Sequence, residues 1–378
     1  MTGITELSES ELRELRSSVR DFLEAKSSEE AVRKVIETDL GYDPEVWSQM
    51  AEQLRLPGLI IPEEYGGDGF GQVALGAVLE ETGRALLCSP FFATVVLGAQ
   101  ALLASGDEEA CAAYLPGIAD GTTTAALAVS ERTGAWDPVQ IETRALRRGE
   151  GDAGWELTGT KSFVIDGVSA DLLLVIARTT AGPSLFAVDR GAAGLTAEPL
   201  ETLDGTRRMA RVRLGGTPAR LVGTDGAGGR LMARILDLAV TGLAAEQTGG
   251  AELCLESATA YARTRVQFGR QIGSFQAVKH KCADMLVQLE LARASAREAA
   301  VIADKGDETA FAVAASAAHV CCSRAYMFAA AENIQVHGGI GFTWEHPAHL
   351  YFRRAKSSQL LFGGPHAYHE RFLERLGF

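Results

Sequence analysis

Two stretches of this 378-residue chain combine arginine and glycine in a way suited to holding phosphate. In the run from Tyr261 to His280, Arg265 and Arg270 flank the turn residue Gly269, and Gly273 follows closely. Glycine permits a tight backbone, and a guanidinium offers planar donors that match phosphate oxygens. A turn of this kind can cradle a pyrophosphate. The second stretch, Gln335 to Phe342, carries Gly338, Gly339 and Gly341 and is followed by Glu345, His346, Pro347 and the run Arg353, Arg354, Ala355, Lys356. Backbone N–H groups exposed in such a turn bind anions without a side chain. Taken alone, the same glycines are better read as a helix C-cap and a mobile turn, and it is their spacing from the Arg265 motif that reverses this preference.

A third feature is the carboxylate of Glu246, set in Leu243-Ala-Ala-Glu-Gln-Thr-Gly-Gly250. Small apolar neighbours raise a carboxyl pKa toward the range useful for a general base. The competing reading is a structural polar residue hydrogen-bonded to neighbouring β structure or to a cofactor. The six cysteines (Cys88, Cys111, Cys254, Cys282, Cys321, Cys322) form no CxxC pair and lie mostly in apolar helical contexts, so they read as buried thiols and no metal site is expected.

The elements that must position these groups follow from periodicity. From Ser8 to about Ala119 apolar residues recur at helical spacing, as in Leu12, Leu15, Val19, Phe22 and Leu23, with Ser8 and Ser10 as N-cap candidates. Pro57, Pro62 and the run Tyr65 to Gly69 interrupt this region. Pro90 to Ala104 is too short to span a bilayer and reads as a buried helix. Between about Thr122 and Val222 the texture changes to short β-branched runs: Trp155 to Leu157, Leu172 to Ile176, Ser184 to Val188 and Arg211 to Leu214. Helical periodicity returns from Arg230 to Asp304, from Glu308 to His337, and near the end. An α, then β, then α order argues against a doubly wound nucleotide fold, which alternates strands and helices throughout. Gly66 to Gly71 neither follows a strand nor opens a helix within a βαβ unit.

With its turn Arg265-Val-Gln-Phe-Gly269 and its second motif Gln335-Val-His-Gly-Gly-Ile-Gly, the chain closely resembles the acyl-CoA dehydrogenase family along essentially its whole length. The resemblance implies an α+β fold with an N-terminal helical domain (1–119), a middle antiparallel β domain (120–225) and a C-terminal four-helix-bundle domain (226–378). It implies noncovalent FAD held by Arg265, Gln267 and Phe268 and, from a neighbouring chain, by Gln335, Gly338 and Gly339, hence at least a dimer. In the run Leu127 to Asp137, Ser130 falls at the family's flavin-contacting hydroxyl and Glu131 at the motif's acid, while Arg132 and Trp136 replace small residues. In Gly159 to Ile165, Phe163 stands where tryptophan is common and Ile165 where a hydroxyl is common, giving an apolar flavin wall. Both could equally be β-domain core. Asp237 matches an acid used near the pantetheine, although Val240 replaces the arginine that often follows it.

The implied reaction is α,β-desaturation of an acyl-CoA, in which a carboxylate removes the α-proton while flavin N5 accepts hydride from the next carbon. Neither usual position of that carboxylate is occupied. Phe362 stands at the common C-terminal one, where only its backbone N–H could polarise a thioester oxygen, and Ala239 stands at the alternative on the long helix. Glu246 lies seven residues beyond Ala239, on nearly the same helical face but roughly 10 Å along the axis.

Three functions are therefore expected to compete: a dehydrogenase of bulky or branched acyl groups using Glu246, a base-lacking subunit completing the FAD site of a homologous partner, and a flavin monooxygenase or oxidase, which oxygen reactivity would distinguish. Acyl-CoA, an electron-transfer partner and a homo- or heterotetramer are the expected partners. The formal charge of −13 disfavours nucleic acid and anionic membrane surfaces. An acidic N-terminus without a basic-then-apolar leader makes the cytoplasm the expected location.

Overall fold

A computed structural model describes residues 4–148 and 154–378. In chain order its helices are α1 (Glu9–Lys26), α2 (Glu29–Ile36), α3 (Pro44–Leu54), α4 (Gln72–Arg84), α5 (Gln100–Ser105), α6 (Glu108–Ala119), α7 (Gly228–Thr264), α8 (Gln276–Lys305), α9 (Glu308–His337), α10 (Ala348–Leu360) and α11 (Pro365–Arg375). The strands are β1 (Ala125–Ala128), β2 (Arg144–Arg147), β3 (Trp155–Ile165), β4 (Leu172–Arg178), β5 (Pro183–Asp189), β6 (Leu195–Pro199), β7 (Met209–Val222), β8 (Val266–Gln267) and β9 (Arg270–Gln271). This is the three-part fold of N-terminal helices, middle β domain and C-terminal helices. Packing groups the segments differently from chain order. One unit holds Val35–Gly71 and Cys88–Ala239, and the other holds Leu7–Lys34, Gln72–Leu87 and Val240–Phe378. Two pieces of the N-terminal helical region thus pack with the C-terminal helices, a grouping that periodicity along the chain does not display.

In the first unit the sheet runs β1-β4-β2-β3-β7-β5, with β6 on β7. Because β5 also pairs with β4, strands β4, β2, β3, β7 and β5 close a ring. Pairing is antiparallel except between β1 and β4 and at the Arg144–Arg178 bridge of β2 and β4. Alternate residues fill the interior, among them Leu157, Val175, Phe186 and Val212, and Trp155 meets Phe186 edge-on at 5.4 Å. The run expected as a buried helix is one, but Phe92–Ala99 is wound as a π-helix before α5. Its one hydroxyl, on Thr94, exchanges hydrogen bonds with the backbone of Ala125.

The second unit is built on long helices. Ser8 and Glu11 close a capping box on α1, so of the two expected caps Ser8 serves and Ser10 lies within the helix. Asp304 of α8 accepts the first N–H groups of α4, from Gln72 at 2.6 Å and Val73 at 3.0 Å. Five helices, α7 to α11, follow the sheet among the described residues. Between α7, α8 and α9 the core is mainly alanine, with Ala244, Ala292, Ala296, Ala318 and Ala325 buried together, which lets the backbones approach closely.

A close approach between α4 and α7 depends on two glycines. A Cβ on Gly249 would stand 1.7 Å from the Glu80 carbonyl oxygen, and one on Gly83 2.0 Å from that of Glu246. Around the crossing, Arg20 makes two 2.8 Å hydrogen bonds to Glu81, and Arg16 makes one of 2.6 Å to Glu80. Alanine in place of glycine normally stabilises a helix by about 1 kcal/mol. Gly249→Ala is expected to reverse that sign and lower the unfolding free energy by several kcal/mol, as overpacking does. Chemical denaturation checks this, and a variant as stable as the parent would show that α4 and α7 do not meet here.

Candidate active site

The sheet unit carries one group of expected site residues. Glu131 lies just beyond β1 and is engaged within the protein: Lys161 Nζ donates to its Oε1 at 2.7 Å, as do Thr143 N at 2.9 Å and Thr143 Oγ1 at 2.7 Å, while Glu142 N donates to Oε2 at 2.8 Å. Lys161 is 0% exposed and also donates to the Val129 carbonyl at 3.0 Å. Burial pulls its ammonium down to about 8. Burial also pushes the less enclosed Glu131 upward, but the lysine charge and the hydrogen bonds outweigh this and hold Glu131 below the usual carboxylate range. The motif's acid therefore ties the loop after β1 to β3.

That tie shapes a groove of about 520 Å³ lined by Arg132, Thr160, Ser162, Phe163 and Arg211 together with Glu131. Phe163 is 46% exposed with φ of 59°, at a bulge in β3 where pairing to β7 shifts between Lys161 and Val164. A bulky residue in the left-handed region is strained, and bulges commonly re-aim side chains near functional sites. The two β3 residues thus part company: Phe163 faces the groove, whereas Ile165 is buried and is not in its lining, as the core reading has it. Ser130 is buried and its hydroxyl donates to the Gly134 carbonyl at 3.1 Å, so only its lone pairs are left for a ligand. Asp237 and Ala239, on α7, are both buried.

The helical unit carries the anion-binding motifs. Phe268 and Gly269 join β8 to β9, with φ of 53° and 76°, which makes this a two-residue hairpin of the I′ kind. Phe268 projects at 90% exposure, and the Arg270 guanidinium lies 4.2 Å from the centroid of Phe275. Arg265 and Gln267 are exposed. At the end of α9 the Gly338 N–H donates to Gln335 and Ile334 carbonyls, capping the helix, with φ of 67°. A Cβ on Gly338 or Gly339 would meet nothing within 4 Å, so the space over this turn is open to a phosphate or another chain. Beneath it, His337 stacks on Tyr261 at 4.3 Å and His346 at 4.2 Å.

Glu246 is not in the apolar setting that its sequence neighbours suggest. Its Oε1 accepts from Arg354 Nη1 of α10 at 2.5 Å, with side chains only 5% and 3% exposed. Close packing of α10 brings in a guanidinium from 108 positions away. The signal was present: Arg354 shares a helical face with the buried Leu350, Tyr351 and Ser358, and a charge on such a face requires a buried partner. Lys161 gave the same signal in β3. Phe362 is buried with φ of 64°, and its turn is held by His319, whose Nε2 lies 3.1 Å from the Gly363 carbonyl. Burial pulls His319 down to about 4, so it is the neutral imidazole that donates at neutral pH.

Comparison with known proteins follows this geometry. The N-terminal, middle and C-terminal domain descriptions of acyl-CoA dehydrogenase match residues 9–122, 126–215 and 226–375. The chain belongs to the acyl-CoA dehydrogenase family. It is 36% identical over 357 residues to acyl-CoA dehydrogenase IpdE2 of Mycolicibacterium smegmatis, covering 94% of this chain and 96% of that one. Among solved structures, the Tcur3481-Tcur3483 steroid ACAD superposes with TM-score 0.87 at 32% identity over 97% and 98% of the two chains. The ChsE4-ChsE5 complex of Mycobacterium tuberculosis gives 0.89 at 28% identity over 98% of each. Membership makes this dehydrogenase an FAD-dependent oxidoreductase acting on CH–CH bonds. No helix among the described residues is long and apolar enough to cross a membrane.

The Glu131 tie has a pH signature. A carboxylate whose folded pKa lies below its unfolded value contributes stability that is complete above the unfolded value and is lost as pH falls through the folded one. Glu131→Gln is expected to lower the unfolding temperature at pH 7, and the gap should narrow below the ordinary carboxyl value of 4.5. Paired melts from pH 3 to 7 check it, and a gap independent of pH would assign the loss to packing alone.

Proposed function

We propose that this dehydrogenase chain completes the FAD site of a mixed tetramer, and that a homologous partner chain supplies the base for α,β-desaturation of a CoA thioester with a bulky, polycyclic or branched acyl group. The observation that carries this is the buried Glu246–Arg354 pair, taken with Phe362 and Ala239 at the two positions where the family places its carboxylate. A carboxylate held by a guanidinium at 2.5 Å is a poor proton acceptor, because protonation would strand a buried cation. Two-chain relatives support the assembly, and the steroid ACAD supports a polycyclic acyl group.

When bound, FAD supplies the hydride acceptor for the thioester's β-carbon. This chain contributes binding. The exposed Arg265 offers a phosphate contact, Gln335, Gly338 and Gly339 present an open turn to the cofactor of a neighbouring chain, and Phe163 offers an aromatic face. An electron-transfer partner would take up the reducing equivalents. The residues fit a cofactor site shared between chains better than a self-sufficient one, since the Ser130 proton is committed to Gly134 and Ile165 is buried.

Anaerobic stopped-flow bleaching of the flavin by a polycyclic acyl-CoA tests the reading. The chain alone is expected to hold fewer flavins than chains and not to bleach. Mixed with a homologous chain that carries its own glutamate, it should bleach. Bleaching by the chain alone that falls about 10² to 10⁴-fold in Glu246→Gln would overturn the proposal and restore Glu246 as base.

A further inference from the structure

The helical unit contains a cavity of about 370 Å³ that uses none of the residues assigned above. It is walled by α1, α2, α4, α7, α9 and α10, and its apolar lining includes Leu23, Val32, Leu86, Leu253 and Leu350. That volume is within the range of small-molecule sites, which are mostly apolar with a few placed polar groups. The arginines at its wall are already matched. Arg20 is bound twice to Glu81, Arg84 is bound to Glu256, and Glu29 is bound to Arg33. An anionic ligand would find no available counter-charge, and the exposed carboxylates of Glu24 and Glu29 would repel it.

Two lining atoms lack a hydrogen-bond partner: Arg84 Nη1, whose charge is answered by Glu252 at 3.6 Å, and Asn333 Oδ1. Asn333 is 1% exposed, its side chain contacts Cys254, and its Oδ1 has no hydrogen-bond partner in the structure. Buried acceptors are almost always satisfied, and one left open beside a cavity calls for a donor from whatever fills it. We propose that this cavity binds a small, uncharged, largely apolar molecule carrying a hydroxyl that donates to Asn333, at a site separate from FAD and acyl-CoA. The apolar walls hold the body of the molecule and Asn333 sets its orientation. The site stands independently of the mixed-tetramer reading.

The test is calorimetric titration of the flavin-loaded protein with three probes of one shape: 2-naphthol, naphthalene and 2-naphthoate. Naphthol is expected to bind saturably, naphthalene about tenfold more weakly for want of the hydrogen bond, and naphthoate not at all. Asn333→Leu should remove the preference for naphthol over naphthalene. Leu253→Trp projects an indole into the cavity, and it should block binding while leaving FAD content and the unfolding temperature near those of the parent. Should Asn333→Leu fail to fold, the Leu253→Trp result still decides the location. No saturable naphthol binding, binding untouched by Leu253→Trp, displacement by acyl-CoA, or naphthoate binding as well as naphthol would each overturn the proposal.

Discussion

An ion pair removed from water constrains most of what this chain can do. Glu246 and Arg354 are nearly inaccessible and meet at 2.5 Å. Taking two such charges out of solvent costs several kcal/mol each, and only close geometry offsets it, so neither residue can move or lose its charge without stranding the other. The pair fixes α10 against α7. It does so at the level where α4 crosses α7 on Gly83 and Gly249, so the backbone positions of three helices are set within a few residues. Chemically, the same contact engages the one carboxylate of the Leu243 to Gly250 run with a guanidinium. The rigid helical frame follows from this interaction, and the proposal that a partner chain supplies the base rests on it.

The sheet unit uses a similar device for a different end. Lys161 is fully enclosed, and Glu131 answers it while also accepting N–H and O–H groups from the Glu142–Thr143 segment. Immediately after Lys161 the β3 ladder slips, and the slip puts Phe163 into solvent instead of the barrel interior. The clamp thus holds still the strand segment from which an aromatic face is presented. In both units a charge on an inward position is a fastening, and the surfaces left open, at Phe163, Arg265 and the Gly338 turn, are those expected to meet cofactor and neighbouring chains.

Much of this architecture was legible in the sequence because it depends on local periodicity. The α, β, α order, the strands at Leu172 and Ser184, the Ser8 cap and the buried run from Pro90 all depend on spacing and turn chemistry within a few residues. The two glycine and arginine motifs were legible too, since their composition announces a turn. What escaped depends on contacts between distant segments. The small residues flanking Glu246 suggested an apolar pocket, yet its surroundings are decided by Arg354. The I′ turn at Phe268 carries a phenylalanine where asparagine or glycine is favoured, so local preference did not reveal it. The slip that separates Phe163 from Ile165 is likewise invisible to a period-two pattern. The grouping of α4 with the C-terminal helices is seen in contacts such as those of Gln72 and Val73 with Asp304 and of Arg84 with Glu256, between residues more than 170 positions apart.

A double-mutant cycle on Glu246 and Arg354, read by chemical denaturation, tests the central claim most directly. Glu246→Gln and Arg354→Met should each cost about 3–5 kcal/mol, because each leaves a buried charge without its counterpart. The double variant should cost far less than their sum, giving a coupling of at least about 2 kcal/mol. Single variants within about 0.5 kcal/mol of the parent, adding independently, would contradict the account and show that Glu246 is held loosely enough to serve another purpose.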